Sequence, residues 1–129
     1  MADVIVVTPQ PLLITTGPTT IAQDIRTALD ISNWDFLDLQ VGLLSAGTSG
    51  TVVVNMFTSM QNLVDDSSWM SGGINCGSAS FTLPTDIGKW KGLVLPASSS
   101  LLLRFLRYQI VLTTTTSASI MISGMGRKR

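Results

Sequence analysis

The sequence predicts an all-β fold: a single-domain antiparallel β-sandwich with an extended N-terminal arm. Three observations support this prediction: chain length, residue composition and runs of alternating apolar residues. The 129 residues match the size of one domain. All eight acidic residues are Asp, and the straight-chain residues that favour helices are few, while Ser and Thr are abundant. This composition favours strands and turns.

The charge content limits the classes of partner. Charged residues make up 12% of the chain, about half of the roughly 25% that is usual in soluble domains. Such a surface suggests that another molecule covers part of it. The net charge of zero gives no overall field toward nucleic acid or a membrane, so neither is expected as a partner. The N-terminus lacks the features of a signal peptide, and synthesis in the cytoplasm is expected.

The clearest strand lies in the segment DFLDLQVGLLS, where apolar residues alternate with Asp38 and Gln40. Its predicted core residues are Leu37, Leu39, Val41 and Leu43. Another alternating run follows Gly47 and Gly50, with Val52, Val54 and Met56 on one face. The sequence therefore predicts that these two strands form a hairpin.

The C-terminal segment LLLRFLRYQIVLTTTTSASIMISG is apolar, but Arg104 and Arg107 interrupt it, which argues against a membrane span. At a period of two, one face collects Leu102, Leu106, Tyr108, Ile110 and Leu112. A turn at residues 114–117 and a strand at 118–123 complete a second predicted hairpin. A helix over 101–112 is the weaker alternative because no clear cap is present.

Residues 21–31 fit a helical stripe or a strand face, and the strand is favoured. The longest predicted loops span residues 65–77 and 84–92. With these connections, residues 21–126 form the predicted sandwich, and 127–129 form a basic tail.

The N-terminal section, residues 1–20, contains three prolines that interrupt its apolar runs. Proline cannot donate a hydrogen bond to a sheet, so this section is either an arm that reaches a partner or an edge strand. Both interpretations stay open. The candidate partner-binding residues here are Val4, Ile5, Val6, Val7, Pro9, Pro11, Leu12 and Leu13.

Few residues offer chemistry. The chain has no His, which removes the commonest general base and most zinc sites. Asp65 and Asp66 could bind calcium, but no series of further ligands accompanies them, which favours a solvated turn. Cys76 stands alone and has no His to activate it, so an inert thiol is expected. We therefore expect neither catalysis nor a cofactor or metal.

Three tryptophans lie in or beside predicted loops. Trp34, Trp69 with its neighbour Met70, and Trp90 are candidate anchors for a partner or stacking surfaces for a sugar. Packing over the end of the sandwich is the alternative for each. The tail residues Arg127, Lys128 and Arg129 could contact an acidic partner or remain solvated.

Two segments resemble small β-sandwich proteins of tailed bacteriophage particles. In those proteins a strand pair is followed by an S-x-D-x-x-W-like loop and a late R-Y or R-F strand. Here Thr58, Ser59, Asp65, Asp66 and Trp69 fill the first pattern. Arg107 and Tyr108 fill the second.

The resemblance implies a jelly-roll-like capsid decoration, or cement, protein. Such a protein binds the major capsid protein on the surface of the virion as a dimer or trimer of itself, and it has no catalytic residues. Similar patterns occur in galactose-binding-like modules, so a carbohydrate-binding module with a glycan ligand is an alternative. A tail or neck component of the virion is another.

Overall fold

The computed structural model describes residues 2–8, 10–62, 65, 68–69, 73–97 and 102–128, without the side chains of residues 2 and 3. Within these ranges, no helix is long and apolar enough to cross a bilayer. The strands found in them are β1 (Ala2–Val6), β2 (Leu12–Ile14), β3 (Thr19–Ala22), β4 (Leu29–Asp30), β5 (Phe36–Ala46), β6 (Thr51–Ser59), β7 (Ile74–Thr82), β8 (Trp90–Leu95), β9 (Phe105–Thr113) and β10 (Ala118–Arg127).

The strands form two antiparallel sheets that pack as a sandwich. Sheet A has the order β1-β10-β5-β8, and β2 continues the edge position of β1 along β10. Sheet B has the order β3-β9-β6-β7, and β4 continues the edge position of β3 along β9. Two four-position sheets with the chain crossing between them make a jelly roll. The predicted all-β sandwich is confirmed.

The faces predicted for the main strands are confirmed. The alternating residues of β5, β6 and β9 point into one core, where each fully buried aliphatic side chain contributes about 1.5–3 kcal/mol. The core residues at these positions are Leu37, Leu39, Val41, Leu43, Val52, Val54, Met56, Leu106, Tyr108, Ile110 and Leu112. Alternation therefore identified the core-facing side of each strand, although on β9 the opposite face is buried as well at Arg107 and Gln109.

Both predicted hairpins are wrong. β5 pairs with β10 and β8, whereas β6 pairs with β7 and β9, so the turn between them crosses from one sheet to the other. The turn between β9 and β10 also crosses between the sheets. Gly50, with a φ of 101°, makes the first crossing possible, because a Cβ there would lie 2.1 Å from the carbonyl oxygen of Thr113.

The N-terminal section forms edge strands, which decides between the two interpretations of residues 2–14. β1 and β2 pair with β10, and between them the amide of Thr8 donates to the carbonyl of Ile122 at 3.1 Å. Ile5, Val7 and Ile14 are buried in the core. The section is therefore part of the sandwich.

Residues 21–31 are in strands only at Ile21, Ala22, Leu29 and Asp30. The strand β3 ends at Ala22, a 3-10 turn spans Ile25–Thr27, and β4 follows. Asp24 caps the turn by accepting a hydrogen bond from the amide of Arg26 at 2.9 Å. The predicted single strand is therefore confirmed only at its two ends, and Ile25, which was expected on the strand face, lies in the 3-10 turn.

The two predicted long loops extend too far. β7 begins at Ile74, and β8 begins at Trp90. The glycine content of the first loop was misleading, because Gly77 lies where the two sheets approach. A Cβ there would lie 2.5 Å from the Cδ2 atom of Leu95.

Candidate interaction surface on sheet A

The outer face of sheet A carries most of the exposed apolar side chains. Among the described residues, nine large apolar side chains are exposed, and seven of them lie on this face. The other two, Met60 and Ile74, lie elsewhere. The seven are Val4, Val6, Leu13, Leu44, Trp90, Val94 and Met125. An apolar concentration on one sheet face is typical of a surface that binds a partner.

The register of the strands places these residues beside each other. Val4 on β1 is opposite Met125 on β10, Met125 is opposite Asp38 on β5, and Asp38 is opposite Val94 on β8. The exposed fractions are 78% for Val4 and 56% for Val94. This row crosses the sheet from edge to edge.

The charge in this row is neutralised within the chain. Arg127 donates through Nε and Nη2 to the carboxylate of Asp38, the second of these bonds at 3.1 Å. The hydrogen bond from Arg127 lowers the pKa of Asp38. The Arg127 guanidinium also lies 5.3 Å from the centre of the Phe36 ring. The first cation of the basic tail is therefore engaged on sheet A, while Lys128 is exposed.

Two of the tryptophans pack over glycines. The indole of Trp90 lies over Gly42, its register partner on β5, and Trp90 remains partly exposed. Trp34 is half-buried and covers Gly126, where a Cβ would lie 2.5 Å from the indole. A side chain at either glycine would displace the ring above it.

The third tryptophan, Trp69, is buried against sheet B with 2% of its surface exposed. Its ring centre lies 5.7 Å from the guanidinium of Arg107, which is also buried. Arg107 donates through Nε to the backbone oxygen of Gln23. The indole Nε1 of Trp69 has no hydrogen-bond partner among the described residues. Trp69 is therefore part of the packed interior and is not an exposed anchor for a partner.

The outer face of sheet B is more polar. Asn55 donates to the side-chain oxygen of Gln109 at 3.1 Å and accepts from the hydroxyl of Ser78 at 2.6 Å. A cavity of about 280 Å³ adjoins this network, lined by Thr20, Ala22, Phe57, Trp69, Arg107, Tyr108 and Gln109. The two faces of the sandwich thus differ in character.

The structure shows the surroundings of the residues that were considered as metal ligands or as a reactive thiol. The carboxylate of Asp65 accepts from the amide of Ser68 at 2.8 Å, which lowers the pKa of Asp65. Asp66 lies outside the described residues. In the described part of the chain, no three potential ligands among His, Cys, Asp and Glu lie together in a metal-binding arrangement. Cys76 is fully buried on β7, and burial raises its pKa to about 12.

The predicted partner-binding residues of the N-terminal section lie on both faces of the sheet, some exposed and some in the core. Val4, Val6 and Leu13 are strongly exposed, and Pro11 is exposed as well. Leu12 is half-buried, and Ile5 and Val7 belong to the core. Pro9, Met70 and Arg129 lie outside the described residues.

Sequence reasoning named Trp90 on β8 and Arg127 on β10 but missed three exposed apolar residues of this surface. These are Leu44 on β5, Val94 on β8 and Met125 on β10. The alternation of Val94 with Leu93 and Leu95 was a usable signal, because neighbours in a strand face opposite sides of the sheet.

The tryptophans do not line one groove, which a sugar-binding site built on them requires. Trp90 lies on the outer face of sheet A, and Trp69 lies against sheet B. Trp34 is in the connection from β4 to β5.

The Arg104 side chain forms an ion pair with Asp30 of the same chain, at 3.2 Å.

No protein-family model matches this sequence, and the search of curated proteins returns no match.

Proposed function

We propose that this protein is a structural component of the virion, a decoration protein that binds the major capsid protein of a tailed bacteriophage and stabilises the shell. The observation that carries the proposal is the apolar outer face of sheet A. Seven of the nine exposed large apolar residues of the described chain lie there. The phage particle as the setting comes from the resemblance in sequence.

Two further features support a binding role. The chain has a charged fraction of 12%, and the one ion pair in the row from Val4 to Val94 is internal, between Asp38 and Arg127. A surface of this kind loses little charge solvation when it is covered. Sheet A therefore faces the shell in this proposal, and sheet B faces outward.

Many identical contacts together stabilise the attachment of the protein to the shell. A shell offers many identical sites, and a symmetric oligomer can occupy several of them together. Linked contacts of modest affinity then act through effective concentration. Such a protein needs neither a metal nor a catalytic group to reinforce the shell.

The first test is the protein composition of purified particles from the source. Quantitative mass spectrometry gives the copies of this protein relative to the major shell protein. A ratio that corresponds to repeated occupancy of the shell is expected. A few copies per particle indicate a tail or neck position, and absence from the particle overturns the proposal.

The second test uses two matched variants. Val94→Asp places a charge on sheet A at a residue that is 56% exposed, and Ile74→Asp does so on sheet B at one that is 42% exposed. Binding to shells that lack the protein should weaken about tenfold or more for Val94→Asp, because the charge must be desolvated. Ile74→Asp should bind normally. Equal binding by both variants contradicts the assignment of sheet A.

A further inference from the structure

The edges of the two sheets are protected to different degrees. An unpaired edge strand exposes backbone amides and carbonyls that can pair with another chain, and proteins usually blunt such edges. In the described chain, β1 with β2 and β8 border sheet A, while β3 with β4 and β7 border sheet B. Each edge can therefore be compared for what covers or interrupts it.

The edges at β7 and β8 cover each other. The amide of Ala97 donates to the carbonyl of Cys76 at 2.7 Å, and the ammonium group of Lys91 donates to the carbonyl of Ser80. These bonds join the two sheets along one side of the sandwich. A further strand has no free access to the backbone groups that they occupy.

The edge at β3 and β4 is interrupted. The strands have four and two residues, and the 3-10 turn Ile25–Thr27 separates them. The ion pair between Asp24 and Arg26, at 2.8 Å, lies at this turn. Short strands and charges are the usual protection of an edge.

The β1 edge is uninterrupted over its length and carries less charge. It pairs with β10 over five residues, and no described strand pairs with its other side. Asp3 is the only charged residue in β1. Val4 and Val6 are 78% and 52% exposed, on the same face as Met125. A strand of this length and composition is an association site unless it is paired.

We propose that β1 pairs antiparallel with β1 of a second copy of this chain, about a twofold axis at Ile5. In this register Val4 is opposite Val6 of the second copy, and Val6 is opposite its Val4. Residues opposite each other in an antiparallel pair share a face of the sheet. The four valines therefore form one apolar cluster on the outer face, and the two copies of sheet A become one continuous sheet.

A second copy fits this edge because the register is self-complementary. Asp3 is opposite Val7 of the other copy, so no like charges meet. Met125, the register partner of Val4, extends the valine cluster on each side. The twofold axis is perpendicular to the sheet, so both apolar faces point the same way. This deepens the proposed function, which uses a symmetric oligomer, by naming its interface.

Charge substitutions test the register. In Val4→Asp/Val6→Asp, each new carboxylate is opposite one in the other copy. In Val4→Lys/Val6→Asp, each lysine is opposite an aspartate instead. Sedimentation equilibrium should show a wild-type dimer that the first variant weakens by about tenfold or more. The second variant should dimerise more tightly than the first. Val94→Asp, on the opposite edge strand β8, should leave the dimer intact.

Amide hydrogen exchange on the wild-type protein tests the same interface without a substitution. Alternate amides of β1 should become more protected as the protein concentration rises through the dimerisation range. A monomer at every soluble concentration overturns the proposal. So does a dimer with unchanged β1 exchange, or one equally weakened by both double variants.

Different experiments can contradict the proposed shell binding and the proposed β1 interface independently of each other. Dimerisation is measured in solution without a shell, and shell binding is measured with Val94→Asp, which keeps the β1 edge. A dimer that does not bind shells overturns the proposed function alone. Shell binding by a protein that stays monomeric overturns the β1 interface alone.

Discussion

The indole ring of Trp90 occupies the space above Gly42, its register partner on the neighbouring strand β5. A Cβ at Gly42 would lie 2.7 Å from three atoms of the ring. The small residue and the large one therefore form a unit on the outer face of sheet A. Trp90 is held flat against the sheet instead of projecting from it.

Gly42→Ala should displace Trp90 and cost about 1–3 kcal/mol in the free energy of unfolding, because the new methyl group overpacks the site. Urea unfolding measures the cost, and tryptophan fluorescence reports the ring. Gly92→Ala on β8 is the matched control, since its Cβ would meet nothing within 4 Å. The cost of Gly42→Ala should shrink in a Trp90→Ala background. An unchanged cost there contradicts the relationship.

Trp69 and Trp90 should differ in their effects on stability. Trp69 is buried with 2% exposed, so Trp69→Ala should cost about 3–5 kcal/mol. Trp90→Ala, at a partly exposed site, should cost about 1 kcal/mol. Trp69→Phe should cost less than Trp69→Ala, because it keeps an aromatic ring and removes an indole N–H that pairs with none of the residues the structure describes. Equal unfolding midpoints for the two alanine variants would argue that Trp69 is not buried in solution.

Asp24 should make stability fall at acidic pH. The side-chain hydrogen bond from Arg26 lowers the pKa of Asp24 from 3.8 to about 2. The contribution of the ionised Asp24 carboxylate to the free energy of unfolding is therefore present above pH 3.8 and is lost as the pH falls toward about 2. Asp24→Asn keeps an acceptor for the Arg26 amide but removes the titration.

Urea unfolding across this pH range should therefore give a flatter stability curve for Asp24→Asn than for the wild type. Arg26→Gln, which removes the largest cause of the lowered pKa, should flatten the curve as well. Parallel curves for all three proteins contradict the coupling between Asp24 and Arg26.

Cys76 should be unreactive in the folded protein and should lower stability at alkaline pH. Burial raises the pKa of the thiol to about 12, whereas an unfolded thiol ionises near pH 8.5. The contribution of the protonated thiol to the free energy of unfolding is therefore fully present below about pH 8.5, and it is lost as the pH rises toward the pKa of Cys76 in the folded protein. Cys76→Ala should reduce this loss.

A thiol reagent at neutral pH should modify Cys76 only as fast as the protein opens. Adding urea below the unfolding midpoint should accelerate the reaction, because reaction follows the open population. Rapid modification in the absence of urea would show that the thiol is accessible in the folded state.

The sequence predicted the strands and their buried faces where apolar residues alternate. Leu37 to Leu43 and Val52 to Met56 show this signal, and each run faces the core. Alternation says which side of a strand is buried, but it carries no information on which strand lies beside it. Both hairpin predictions failed for that reason, since each turn joins different sheets.

The interaction surface was predicted in part for the same reason. Val4, Val6 and Leu13 were named from an apolar segment, but only the strand's alternation separates them from Ile5 and Val7. Trp69 was named because it follows a predicted turn. Its burial depends on Arg107, 38 residues further along the chain, and no local pattern reports such a contact.

Thr114 adopts a backbone conformation that disfavours its side chain. It has a φ of 72° in the turn that carries the chain from β9 to β10, and a β-branched residue is strained there. Thr114→Gly should therefore raise the free energy of unfolding by about 1 kcal/mol. Thr116→Gly is the control in the same turn, because Thr116 is exposed and has no positive φ. It should be neutral or destabilising, since glycine adds freedom to the unfolded chain. Equal effects of the two substitutions on urea unfolding would show that Thr114 is not strained.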